Sequence, residues 1–303
     1  MDKRKQGIAL FITLMVIASI MSIIAVSFTY LEKVQKDAGI TSAMIQGNLL
    51  YNNTVSVLKR FFPKGKDNTE KLKLIYTMPL LLNEPKSGFT LNMSCKPLMI
   101  GVPINWLDEK LTQKTPEKSS LASDTLTTVM ELYEIKEPNE LENILIEHII
   151  DKNTENLDYT PRVKKNKGIF SYQQFERIII DYRLRYDDPN VLNVPWDKYF
   201  SFTNITKETK IDGTYLSPEF ISVAFDIPLE IVKDSWVIGE STLKTFLEEN
   251  SIVASLNKNI YSTKALNAMH CEQSYIYRDG YYKFNFDYIE GRSGNFEFNG
   301  EEQ

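Results

Sequence analysis

From Ile8 to Tyr30 the chain is an unbroken apolar run, with no charge, proline or glycine in it. About 20 such residues at a rise of 1.5 Å cross the hydrocarbon core of a bilayer. The next proline is Pro63, so nothing forces the helix to end at the membrane. Beyond Tyr30 the pattern turns amphipathic. Leu31, Val34, Ala38, Ile45 and Leu49 recur at helical spacing, with Gln35, Lys36, Gln46 and Asn48 off that stripe. The spacing predicts one helix reaching about Arg60, roughly 80 Å long. Its first half (8–30) is expected in lipid and its second half (31–62) on a folded domain. Gly39 and Gly47 are soft points, each costing about 1 kcal/mol relative to alanine.

Ahead of the run, Lys3, Arg4 and Lys5 lead through Gln6 to Gly7. A secretory signal has a shorter apolar core and a small-residue cleavage site after it. Here the small residue precedes the run. A basic leader (1–7) ending in glycine before an apolar helix resembles a type III signal. Prepilin peptidase cuts such a signal on the cytoplasmic side, at Gly7–Ile8, and leaves the helix in place. A plain N-terminal anchor with a chance glycine is the other reading. Three cations lie before the span, and Glu32, Lys33, Lys36 and Asp37 balance after it. The N-terminus is therefore expected in the cytoplasm and the remaining chain outside, in the periplasm of an inner-membrane, single-pass protein. The net charge of −5 argues against a nucleic-acid partner.

The remainder reads as α+β. Lys71–Leu82 and Gly88–Ile100 have strand-like alternation, separated by Asn83, Pro85 and Gly88. Glu272–Tyr277 and Tyr281–Ile289 flank Arg278-Asp279-Gly280, a hairpin signal. Tyr282, Phe284, Phe286 and Tyr288 fall on one face of the second strand, and Lys283, Asn285 and Asp287 on the other. Between these ends, short helices joined by polar turns are expected. Ser123 is read as the cap of one. Pro138 opens another through Asp151, with Leu141, Ile144, Leu145, His148 and Ile149 inward. Ser171–Tyr186 carries Phe175, Ile178, Ile179 and Tyr182 inward. Ser217-Pro218 starts a helix to Phe225, Pro228 begins one more, and Glu240–Glu249 is the last. The expected architecture is a long N-terminal helix packed on an antiparallel sheet (63–106 and 251–303), with a helical domain (107–250) inserted between the strands.

Cys95 and Cys271 are the only cysteines. In an oxidising compartment they pair; otherwise they are two buried thiols. A bridge across so long a loop stabilises by roughly 4 kcal/mol or more in the chain-entropy model. No phosphate loop, HExxH or Cys-x-x-Cys occurs. His148 lies on an apolar stripe and reads as a core histidine. His270 neighbours Cys271, a poor geometry for a catalytic dyad. An enzyme is not expected.

The arrangement resembles the K-type minor pseudopilin of type II secretion (general secretion pathway protein K), in the type IV pilin-like superfamily. Three stretches carry the resemblance. Arg-Lys-Gln-Gly runs into Ile-Ala-Leu-Phe-Ile. Most pilins have a glutamate as the fifth residue of the mature chain; here it is Ile12, and K-type subunits also lack the acid. Glu140–Asp151 looks like a family helix ending in Ile-Asp before an acidic loop and a proline. Ile211–Pro218 is similar to a family turn of the type Ile-Asn-x-Asn-Thr-Ala-Pro; Thr214 and Pro218 fit, while Asp212 and Gly213 depart.

The resemblance implies a pseudopilin at the tip of a periplasmic pseudopilus that initiates assembly. Ile8 would be methylated on its new amine. Partners would be I-type and J-type minor pseudopilins, the major pseudopilin and prepilin peptidase, with the secretin and secreted cargo at the advancing end. In a filament, the glutamate is thought to neutralise the N-terminal amine of the subunit above, because a charge in lipid needs a partner. Ile12 offers none, which suits a subunit with nothing above it; it also suits a simple lipid-facing residue. Family members can bind calcium in the acidic loop, where this chain has Asp151, Glu155 and Asp158; a solvated acidic turn is the alternative. Two other readings stay open. One is a minor pilin of a type IV pilus or competence system. The other is a single-pass anchored periplasmic binding protein.

Overall fold

The computed structural model describes residues 3–84, 89–150, 168–252, 256–277 and 280–300. It describes side chains at Met15 and from Met21 onward within those ranges, except 82–84, 89 and 300. Helix α1 runs without a break from Lys3 to Phe61, about 90 Å at 1.5 Å per residue. Lys59 and Arg60 occupy its last turn, where cations meet the negative end of the helix dipole.

The packed face of α1 is not the one its large aliphatics mark. Leu31, Val34, Ala38, Ile45 and Leu49 are all exposed. The buried positions are Ala43, Gly47, Val55 and Leu58, with Leu50, Tyr51 and Thr54 half-buried beside them. Backbone distance explains the choice. A Cβ at Gly47 would lie 2.9 Å from the Tyr275 hydroxyl and 3.2 Å from the Phe298 ring. Only the face of small residues brings the helix that close. At this level Tyr275 donates its hydroxyl to the carbonyl of Ala43. Further along, Tyr51 packs edge-on against Phe286 with ring centroids 5.2 Å apart, and its hydroxyl donates to Ser293 over 2.8 Å. Thr54 donates to the side-chain carbonyl of Gln273 over 3.0 Å.

Next come α2 (Thr69–Thr77), β1 (Leu80–Glu84) and β2 (Phe89–Pro97). The strand expected over Lys71–Leu82 is thus mostly helix. Leu72 and Ile75, three apart, are buried against the sheet core, and that spacing serves a helix as well as the alternation served a strand. The chain returns to the sheet with β5 (Ala268–Tyr277), β6 (Gly280–Ile289) and β7 (Arg292–Gly300). The five strands form one antiparallel sheet in the order β1-β2-β5-β6-β7. Phe284, Phe286 and Tyr288 are buried beneath α1, as the alternation of β6 predicts. Residues 278–279 of the expected hairpin turn lie outside the described residues.

Between β2 and β5 lie β3 (Val102–Pro103), α3 (Glu109–Thr112), α4 (Glu117–Leu132), α5 (Pro138–Ile150), α6 (Tyr172–Tyr186), α7 (Trp196–Tyr199), β4 (Phe200–Ser201), α8 (Pro218–Phe225), α9 (Leu229–Ser235) and α10 (Leu243–Glu249). Strands β3 and β4 pair in parallel. The caps are local. Ser171 accepts from the Gln174 amide, Ser217 from Phe220 and Thr242 from Thr245. Ser123 is not a cap. It sits inside α4, which starts earlier at Glu117, and donates to Glu142 over 3.1 Å. The inward stripe of α6 is buried as its spacing predicts, around Trp106, Trp196, Phe200 and Phe220. His148 is exposed rather than in this core; its ring nitrogen faces the Ile144 carbonyl at 2.8 Å within its own helix.

The turn at Ile211–Pro218 shows why Asp212 and Gly213 stand there. The Asp212 carboxylate is buried and accepts from the amides of Thr214 and Leu266, both over 2.8 Å. It thereby holds the chain that re-enters β5. A Cβ at Gly213 would sit 2.4 Å from the Ser262 carbonyl. Burial pushes the Asp212 carboxyl up to about 7, against the downward pull of its backbone hydrogen bonds.

Three outcomes are expected. Gly39 has open space where a Cβ would go, so Gly39→Ala raises stability by about 0.5–1 kcal/mol in thermal unfolding. Gly47→Ala gains the same propensity but drives the Tyr275 hydroxyl off Ala43, and loses about 1–2 kcal/mol net. The Asp212 carboxyl binds its proton more tightly folded than unfolded. Its contribution to stability is therefore fully present only below the ordinary carboxyl value of 3.8, is lost progressively as the pH rises from there to about 7, and levels off above that. Unfolding midpoints in urea between pH 5 and 8 should fall with pH, and that part of the slope should vanish in Asp212→Asn.

Candidate functional site

Gly7, Ile8 and Ile12 all lie on the first turns of α1, where the backbone is helical from Lys3. Their side chains are outside the described set. From Met21 to Ala38 every residue is exposed, including Ile23, Val26, Phe28, Tyr30, Leu31 and Val34. Among the described residues no helix is long and apolar enough to cross a membrane; most of the side chains of Ile8–Ile20 fall outside that count. Met21, Ile23, Ile24, Val26, Phe28, Leu31 and Val34 thus expose apolar surface along one rod, a feature of surfaces that meet a partner or a membrane.

Cys95 and Cys271 are joined by a disulfide. They face each other directly in the β2–β5 register, with Cα atoms 4.1 Å apart. Both are buried, Cys271 fully, in the core beneath α1. No thiol is left for nucleophilic or metal chemistry.

The opposite face of the sheet meets the helical unit through one buried carboxylate. Asp287 on β6 is 4% exposed although its strand position marks it as outward. It accepts from the Thr203 hydroxyl over 2.8 Å and from the Asn295 amide over 2.6 Å, and faces the His270 ring nitrogen at 2.8 Å. Asn295 also donates to the Phe170 carbonyl over 2.9 Å. Three strands and the Thr203 segment thus meet at one buried carboxyl group whose oxygens are hydrogen-bonded, and Asn295 links it on to Phe170. The hydroxyl of Thr203 is committed to the carboxylate and not to the imidazole. The group is therefore a tie between layers and not a nucleophile–base relay.

The loop carrying Thr203 is held from behind by Lys118. This residue is 3% exposed; its ammonium donates to the carbonyls of Lys207 over 3.0 Å and Thr209 over 2.7 Å. It also lies 4.9 Å from the centre of the Trp106 ring. Burial, with Lys210 nearby, lowers its pKa below the ordinary lysine value. Sequence reading missed Lys118, marked Asp212 only as a departure from the family turn, and put Asp287 on the outer face of its strand. Each looks like an ordinary surface charge until the long-range partners are known.

Asp151, Glu155 and Asp158, the candidate calcium ligands, lie outside the described residues. Among the described residues no group of three or more His, Cys, Asp or Glu could hold a metal ion.

No protein-family model matches the chain, and no curated protein matches it. Among solved structures it is similar to a chain in the crystal structure of the GspK-GspI-GspJ complex from the type 2 secretion system of enterotoxigenic Escherichia coli. The identity is 11% and the TM-score 0.48, over 87% of this chain and 99% of that chain.

Proposed function

We propose that this chain is a K-type minor pseudopilin of a type II secretion system. It is processed after Gly7, anchored in the inner membrane by α1, and seated at the tip of a periplasmic pseudopilus. The observation that carries the reading is α1 itself. One uninterrupted helix joins a basic leader ending in glycine to an apolar run, and then to a small-residue face lying on an antiparallel sheet. Its partners on this reading are the I-type and J-type minor pseudopilins and the major pseudopilin. Its work is mechanical and not catalytic: it starts assembly and meets the secretin or cargo at the advancing end.

The tip position rests on Ile12. A glutamate there would be stabilised by the amine of a subunit above it and costly without one. A subunit with Ile12 has no such demand, and it offers nothing to the next subunit.

Co-expression with prepilin peptidase should shorten the chain by the seven leader residues, read by intact mass, and Gly7→Ala should abolish the shift. An unshifted wild-type chain would instead support the simple membrane anchor. Ile12→Glu should impair tip function, seen as fewer pseudopili started per cell. Unchanged assembly would remove Ile12 from the argument.

A further inference from the structure

The position of the disulfide divides the molecule in a way that neither core requires. Cys95 is two residues from the end of β2, and Cys271 is three from the start of β5. The bond therefore closes the neck of the insertion. Every buried member of the helical core lies between Met99 and Ala268, inside the covalent loop. The sheet core is built from α1, α2, β2, β5 and β6, and of its buried members only Met269 falls inside the loop. Outside the neck, contacts that join the two units include the exposed Lys73–Glu240 pair, the Thr203–Asp287 and Asn295–Phe170 hydrogen bonds, the edge-on Tyr76–Tyr215 contact, and Ile289 of β6 packed against the helical core.

We infer that the Cys95–Cys271 bond is a partition between two units that open independently. It keeps β2 registered on β5, and so keeps the sheet closed beneath α1, when the helical unit loosens. It also removes the helical unit from the covalent path between α1 and the C-terminal strands. Tension applied along α1 passes from Cys95 to Cys271 and bypasses the chain between them. Without the bond, β2 and β5 are held together across this neck only by strand pairing, side-chain packing and the folded state of the insert. Loss of the insert would then release both strands into one long open loop. The inference rests on the topology and not on the proposed function.

The full-length chain in detergent tests it by hydrogen exchange with mass spectrometry across a urea series. In the oxidised protein, amides of α4–α8 should lose protection at a urea concentration where those of β2 and β5 keep theirs. In Cys95→Ser/Cys271→Ser, both sets should be lost together. Simultaneous loss in the oxidised protein, or separate transitions persisting in the double variant, overturns the partition. Should the variant not fold, the urea series on the oxidised wild type alone decides: separate transitions for α4–α8 and for β2 and β5 support the partition, and one shared transition overturns it.

Discussion

Two strands separated by a long insertion can pair only if the inserted chain returns its ends to within hydrogen-bonding distance. The pairing of β2 with β5 is such a contact, and the rest of the molecule is arranged around it. It makes β2 an inner strand and completes the surface on which α1 and α2 lie. It also fixes where the helical unit can stand, because that unit must begin and end at one place. Loop-closure entropy grows only slowly with length, so a large insert is tolerated provided its ends are pinned. Three devices pin them here. The disulfide joins the strands themselves, Asp212 fixes the Leu266 amide just before β5, and the Glu290 side chain accepts from the Asn267 amide over 3.1 Å.

Elements whose signal is local could be read from the sequence. The unbroken α1, the Pro138 and Pro218 helix starts, the α6 stripe and the alternation of β6 all appear where their residues point. Each needs only a period, a cap or a proline, and those act within a few residues. The errors share a cause as well. Leu72 and Ile75 fit either a strand or a helix over so short a stretch, and burial against β2 decided for the helix. Ser123 resembles a cap because helix starts compete, and α4 begins about two turns before a helix capped there would, at Glu117.

The candidate site was legible only in part, for a different reason. Gly7, Ile8 and Ile12 are conspicuous against an apolar background, and the two cysteines are conspicuous by rarity. Asp287, Asp212 and Lys118 have no such contrast. An acid at alternate positions of a strand is normally the solvated half of the pattern. Asp287 departs from this because the helical unit covers that end of the sheet and supplies Thr203 as a donor. A buried polar group of this kind follows from which layers meet, and that is long-range information.

The misassigned stripe on α1 carries the most weight for function. The spacing of Leu31, Val34, Ile45 and Leu49 predicts the face that meets the protein's own sheet, yet all four are exposed. The sheet takes the opposite face, where Ala43 and Gly47 allow close approach. Hydrophobic spacing on a helix therefore reports that a face is to be covered, not what covers it. An isolated rod with this much apolar surface gains little from helix propensity alone and depends on an environment for it. In the proposed pseudopilus that environment is lipid over the apolar run and neighbouring helices beyond it. The small-residue face serves folding within the chain. The large-residue face, the more prominent of the two in sequence, is left exposed.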